Sequence, residues 1–213
     1  MADEGLASLG MSFLSRRKAA LTESGVDPSR VPPGQYVTDR FPVLHAGVTP
    51  KVQLAKWDFQ VQGLDGDPVT WTYQDLLDMP QTESTFDIHC VTKWSKLDTI
   101  WRGVAVTEVM SRLNPSPATS HVLVLAEQGF TANIPIADFV RPENLFAHTF
   151  GGEQLEPDHG WPLRLVVPHL YFWKSVKWVR GLRFLDHDTP GFWERNGYHM
   201  YGDPWREQRY WGD

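Results

Sequence analysis

The chain has a single cysteine among its 213 residues, Cys90, so no intramolecular disulfide can staple it. It has no apolar run near the ~18 residues that cross a bilayer, and a membrane-spanning helix is not expected. Basic residues are outnumbered, 20 Lys and Arg against 26 Asp and Glu, and the formal net charge of −6 offers no surplus for nucleic acid or an anionic membrane. There is no internal repeat or low-complexity tract. The glycine-rich run that closes in Gly-Lys-Ser/Thr around nucleotide phosphates is missing, and His159, His187 and His199 do not fall at zinc-ligand spacing.

What is present describes one large domain. A hydrophobic content of 41% suffices for a substantial core at this length. Ten Trp, eleven Phe and six Tyr beside 16 Pro and 17 Gly indicate a loop-rich fold whose aromatic side chains line both cores and clefts. The expected class is α+β, with mixed β-sheets and short helices. An N-terminal arm over residues 1–35 precedes a domain over 36–213 that includes an aromatic tail from 191 onward. Ser15-Arg16-Arg17-Lys18 has the start of a twin-arginine export signal, but Ala19-Ala20-Leu21-Thr22-Glu23 builds no apolar stretch behind it, so a cytoplasmic location is expected.

Periodicity places the elements. A helix is expected over 6–21, then a turn at Val31-Pro32-Pro33-Gly34. Residues 57–64 alternate with period two, Asp65-Gly66-Asp67-Pro68 turns the chain, and 69–73 alternate again, which reads as a hairpin. Thr72 is placed to cap a short helix over 74–79 that Pro80 stops. Residues 84–90 form a strand that delivers Cys90 to its end. A loop is expected over 94–101, a helix over 104–113 with Thr107 as an alternative N-cap, and a buried strand over 121–126. An exposed hairpin over 129–135, a short helix or strand over 136–140, and strands over 146–150 and 176–184 complete the body. The tail 191–213 has little periodicity and is expected to wrap the body or a partner.

A lone thiol at a strand end is an inert core residue, a nucleophile or a soft metal ligand. A cysteine hydrolase would need a His and an Asn or Asp nearby, and eight histidines leave that open. Four segments bear on the choice: Cys90-Val91-x-x-Trp94-Ser95, Trp101-x-Gly103, Gly160-x-Pro162-Leu163-Arg164-Leu165-Val166-Val167-Pro168 and Lys174-Ser175-Val176-Lys177. In this order and at these separations, the chain from about Phe41 onward resembles the molybdopterin-binding domain of the sulfite oxidase family, above all its compact bacterial oxidoreductases and the catalytic subunit of periplasmic methionine sulfoxide reductase.

The resemblance implies a sulfite-oxidase-like fold and a mononuclear molybdenum-molybdopterin cofactor, without heme, whose metal is ligated by the Cys90 thiolate. A soft, strongly donating ligand suits a metal that cycles between high oxidation states. It further implies cofactor contacts from His159 and Arg164, from an anion nest at Ser175, Val176 and Lys177, from Phe41, Val43 and His45 near the N-terminus, and from the backbone of Ala126. His159 stands where the periplasmic relatives have asparagine, and Thr92 where their reductase subunit has glutamate. Lys93, Arg102 and Tyr171 are the implied substrate-side residues. The implied activity is oxygen-atom transfer at sulfur, on sulfite or a sulfoxide, with a separate electron-transfer partner. The competing class is a non-enzymatic small-molecule or cofactor-binding module with an aromatic cleft.

Overall fold

The structure, a computed structural model, describes residues 13–44 and 46–213. Helix α1 (Phe13–Glu23) matches the second half of the expected N-terminal helix; the first half lies outside the described residues. Strand β1 (Tyr36–Val37) follows the Pro/Gly turn. Next come β2 (Asp58–Gln62) and β3 (Val69–Thr72), the expected antiparallel hairpin, with Phe59 and Val61 pointing into the core. Helix α2 (Tyr73–Leu77) carries the expected cap. The Thr72 hydroxyl accepts from the Asp75 amide while the Asp75 carboxylate accepts from the Thr72 amide, a reciprocal box that satisfies two otherwise orphaned donors.

Strand β4 (Gln81–His89) hands the chain to Cys90, and β5 (Trp94–Ala105) returns antiparallel to it. The loop expected over 94–101 is therefore strand. A register shift at Phe86/Ile88, with Asp98 at φ 52°, breaks the alternation that would have revealed it. Helix α3 (Val106–Met110) is shorter than expected, because Val104 belongs to the sheet and pairs with Phe146 and Gln81. Ala105, not Thr107, holds its N-cap position. Gly103 lies where β5 meets the neighbouring backbone so closely that a Cβ would run into the Phe146 carbonyl.

Strands β6 (His121–Ala126) and β7 (Thr131–Pro135) form the expected hairpin, yet it is not exposed. Ala132, Asn133 and Ile134 are buried because later segments pack over β7. Then follow α4 (Ile136–Phe139), β8 (Leu145–Phe150), β9 (Glu153–Gln154), β10 (Arg164–Val166), β11 (Val179–Leu185) and α5 (Phe192–Arg195).

Two sheets result. In one, β3, β2, β11, β6 and β7 lie side by side, with β2 and β11 parallel. In the other, β1, β5, β8 and β10 follow in order, with β4 on β5 and β9 on β8. This mixed-sheet, short-helix architecture is α+β. The main core is aliphatic and aromatic: Phe59, Val61, Val122, Val124, Ile134, Leu182, Phe146, Leu165 and their neighbours. A second cluster surrounds Cys90 with Trp94, Trp101, Tyr171, Phe172 and Trp173. Among the described residues no helix is long and apolar enough to cross a membrane.

Candidate active site

Cys90 opens a four-residue turn between β4 and β5. Its amide donates to the Trp94 carbonyl (2.8 Å) and its carbonyl accepts from the Lys93 amide (3.0 Å), with Lys93 in the left-handed region at φ 75°. The sulfur lies 3.1 Å from the Thr92 hydroxyl. Burial pushes the thiol's pKa up, while Thr92 and the cations Arg164 and Arg209 pull it down. Behind it, His89 is buried with Nδ1 2.9 Å from the Ser95 hydroxyl, and desolvation lowers its pKa to about 4, so the ring is neutral near pH 7.

The sulfur faces a cavity of about 500 Å³. One wall is the Cys90 turn, and a second is the segment from Phe172 to Trp178. A strap through Phe41, Pro42, Leu44, Ala46 and Gly47 lies across it, and Phe192, Trp193 and Tyr198 close the far side. Phe41 stacks on His159 at 3.9 Å and 10° between planes. The strap is pinned from beneath: Lys177 Nζ donates to the Leu44 carbonyl (3.0 Å) and the Asp158 carbonyl (2.9 Å), and Gln128 Nε2 donates to the Val48 carbonyl (3.0 Å).

Arg164 is carried into this space by β10. Nη1 donates to the His159 carbonyl (2.9 Å), the guanidinium lies 4.0 Å from the Phe172 ring centroid, and the buried Nε has no partner. Desolvation lowers its pKa to about 9, and the Cys90 sulfur is the charge that opposes this. Desolvation and the nearby Arg164 bring Lys177 down to about 7. The same two causes bring His159 to about 4. Glu127, the carboxylate on the rim, is engaged by Arg180 at 2.7 Å. The Arg164 guanidinium is therefore buried positive charge with no carboxylate beside it, which is costly unless a ligand supplies an anion, while the half-buried Lys177 has Asp158 as its neighbouring anion.

The wall near Cys90 is held by a buried ion pair. Lys174 Nζ lies 2.7 Å from Glu194 Oε1, with both side chains inaccessible to solvent. It also donates to the Asn133 carbonyl and side chain and to the Met200 carbonyl. Burial lowers the Lys174 pKa and Glu194 raises it. The indole of Trp173 donates to the same Glu194 oxygen (2.8 Å), which locks a cavity-lining ring to α5.

Of the residues expected at the site, Cys90, Phe41, His159, Arg164, Ser175, Val176 and Lys177 line the cavity. The anion nest is narrower than expected. The Ser175 and Val176 amides are spent on the Phe172 and Lys174 carbonyls of a tight 3₁₀ turn, and the Ser175 hydroxyl accepts from the Val167 amide. Lys177 and Arg164 remain as the cations facing the space. Ala126 ends β6 beside Glu127 but does not line the cavity, and Val43 is exposed on the strap. His45 lies outside the described residues.

The three residues expected on the substrate side, Lys93, Arg102 and Tyr171, do not line the cavity. Lys93 is exposed at the turn. Arg102 is exposed far along β5, opposite Glu83 and roughly 25 Å of extended strand from Trp94. Tyr171 is buried outside the cavity, stacked on Trp173 (5.4 Å) with Arg209 4.9 Å from its ring centroid. In its place the fold brings in Tyr198, whose ring lies 5.1 Å from Trp173 and 4.9 Å from Trp193. Burial raises the Tyr198 pKa, and the Cys90 sulfur adds to that rise. Only the density of aromatics in the tail hinted at it.

The residues present fit a metal-bearing cofactor with an anionic group and a flat ring. Among the described residues no three His, Cys, Asp or Glu side chains gather as a metal site, so a metal beside Cys90 would take its other ligands from a bound organic group. Arg164 Nε and the indole of Trp94, a lining residue, are buried donors without partners. Gly160, at φ 118°, lets the backbone pass between Arg164 and Lys177, where a Cβ would sit 3.2 Å from both.

Known proteins agree with this reading. Residues 45–193 match the family described as the oxidoreductase molybdopterin binding domain. The oxidoreductase YuiH of Bacillus subtilis (strain 168) is 47% identical over 190 residues, which is 89% of this chain and 96% of that protein. The protein-methionine-sulfoxide reductase catalytic subunit MsrP of Gluconobacter oxydans (strain 621H) is 28% identical over 68% of this chain and 52% of its own. Sulfite oxidase of Arabidopsis thaliana is 26% identical over 78% of this chain and 52% of its own. This chain thus spans nearly all of the Bacillus protein and about half of the other two. The sulfane dehydrogenase SoxCD from Paracoccus pantotrophus superposes with a TM-score of 0.61 at 21% identity, covering 70% of this chain and 42% of that one, which shows a shared fold.

The chain belongs to the oxidoreductase molybdopterin-binding domain family. It is a molybdopterin-dependent oxidoreductase of the sulfite oxidase type.

Proposed function

We propose that this protein transfers an oxygen atom at sulfur, with molybdenum held by Cys90, and that a neutral sulfoxide is its substrate. The observation that carries the reading is the single buried thiol sharing an aromatic cavity with Arg164, a buried cation without a carboxylate partner, and with Lys177. When bound, the cofactor supplies two-electron redox chemistry at its metal. Arg164 and Lys177 would hold its phosphate and pterin edge, Arg164 with a planar fork of donors and Lys177 as a point charge. The stacked Phe41 and His159 would lie along its ring system.

On the substrate side the chain's own residues do three things. Tyr198 offers a phenol with a raised pKa, a hydrogen-bond donor rather than an acceptor near pH 7, toward the substrate oxygen. Trp173, Trp193 and Phe192 exclude water and present ring faces to an uncharged substituent. Among the described lining residues the only Lys and Arg are Arg164 and Lys177, both committed to the cofactor, so nothing else there pairs with a sulfite dianion. Reduction of a sulfoxide consumes two electrons and two protons and yields a sulfide and water. The electrons come from a separate donor protein. We further propose that this protein works in the cytoplasm, which fractionation of cells would test.

The test is elemental analysis of protein matured in a molybdopterin-producing host, then assays with methyl sulfoxides and a reduced dye and with sulfite and an oxidant. Stoichiometric molybdenum with sulfoxide turnover is expected. Faster turnover of sulfite overturns the substrate reading, and a metal-free protein with an occupied cleft would favour the binding-module alternative.

A further inference from the structure

Two consecutive carbonyls of the Cys90 turn are capped by side chains from opposite ends of the chain, both outside residues 45–193, which match the family model. Gln35 Nε2 donates to the Cys90 carbonyl (2.9 Å), and Arg209 Nη1 donates to the Val91 carbonyl (2.8 Å). Both side chains are buried, at 4% and 7% exposure. Neither lines the cavity.

Each donor is itself fixed. On the N-terminal side, Arg17 Nη2 donates to the carbonyls of Val31, Pro32 and Gln35, so α1 pins the turn that presents Gln35. The next residue, Tyr36, donates its amide to the Lys93 carbonyl (2.8 Å), and β1 then pairs in parallel with Trp94 and Ser95. On the C-terminal side, the Arg209 guanidinium rests on the Tyr171 ring, and Nη2 reaches the Pro33 carbonyl (3.4 Å). The Arg209 amide donates to the Asp213 carboxylate (2.9 Å), and the Tyr171 amide donates to the Gly202 carbonyl (2.8 Å). Arm and tail thus meet behind the turn.

We propose that Gln35 and Arg209 are positioning residues that clamp the Cys90 turn and so fix the direction in which the sulfur enters the cavity. This rests on Cys90 being the protein ligand of the metal. The turn's internal hydrogen bonds do not use the Val91 carbonyl, which accepts from Arg209 in a buried setting. Removing the donor leaves a buried acceptor unmet, which the turn can relieve only by rocking. Outer groups of this kind orient a metal ligand, and a charged donor holds more firmly than a neutral one, so Arg209 outranks Gln35.

The experiment compares Arg209→Met, Gln35→Met and the double variant, as holoenzyme and as metal-free protein. Expected for Arg209→Met are wild-type molybdenum per chain, a kcat lower by about tenfold with KM within about twofold, and a heterogeneous Mo(V) paramagnetic resonance spectrum. In the metal-free protein the amides of Cys90 and Lys93 should exchange with solvent faster by about tenfold or more. Arg209→Lys should restore part of both effects, since an ammonium can replace one of the guanidinium's two carbonyl contacts.

Wild-type exchange in the double variant overturns the clamp. Faster exchange with an unchanged metal spectrum overturns its link to the sulfur and points to the ligand assignment as the fault. A loss of activity that follows molybdenum content alone also overturns it. Should Arg209→Met fail to accumulate, Gln35→Met and Arg209→Lys decide by the same two measurements.

Discussion

The five-stranded sheet and the region around Cys90 bury side chains for different ends. Phe59, Val61, Val124, Ile134 and Leu182 fill the space around the five-stranded sheet and ask nothing of a ligand. Around Cys90, the buried set includes Arg164 with a donor unmet and Trp94 with a free indole N–H, and the half-buried Lys177 beside them has a strongly lowered pKa. The first region is satisfied by its own chain, and the second is complete only when something fills it. A fold that carries both keeps its stability in one part and its strain in the other.

The largest effect should come from the second region. Cys90→Ser is expected to drop turnover below about a hundredth of wild type while the melting temperature barely moves, because the site supplies chemistry rather than stability. Activity near wild type in this variant would remove the ligand assignment. Phe59→Ala should do the reverse. A cavity at this fully buried ring is expected to cost about 3–5 kcal/mol and roughly 10 °C in Tm, with the specific activity of the folded fraction preserved. Equal losses of activity and stability in both variants would dissolve the comparison.

A sharper contrast comes from Arg164→Met. Removing a buried cation that lacks an anion should leave the metal-free protein as stable as before, or more so by about 1–2 kcal/mol, while molybdenum per chain falls several-fold. Urea unfolding and elemental analysis read the two sides. Lower stability with full molybdenum occupancy would show that Arg164 serves the fold.

The smallest effect is a slope with pH. In the metal-free protein Lys177 has a pKa of about 7 against an ordinary value of 10.5. Between these values the unfolded chain holds a proton that the folded chain lacks, so stability should rise with pH across that window and the burial penalty is fully felt below it. His159, at about 4 against 6.5, adds the same sign between those values. Lys177→Met should flatten the upper window in stability measured against pH. An unchanged slope would mean that Lys177 is solvated, with the strap open.

Much of this was legible along the chain because it is local. The β2–β3 hairpin, the Thr72 cap and the β4 strand into Cys90 follow from alternation, turn residues and capping chemistry within a few positions. The start of β5 escaped notice because a register shift interrupts its period, and β7 looked exposed because the segments that cover it come dozens of residues later. Arg164, His159 and Lys177 were found by motif. Tyr198 has no such motif, since nothing near it repeats, and Tyr171, the tyrosine expected at the site, packs behind the wall.

The sequence alone determined the class of the fold, the family and the thiol on which the chemistry turns, because each is written in local pattern or in motifs of fixed spacing. Only the tertiary structure decided which aromatic rings share the cavity with that sulfur, that Arg164 is buried without a carboxylate partner, and that Gln35 and Arg209 meet behind the same turn. Those outcomes depend on contacts between residues far apart in the chain, whose distances no spacing encodes.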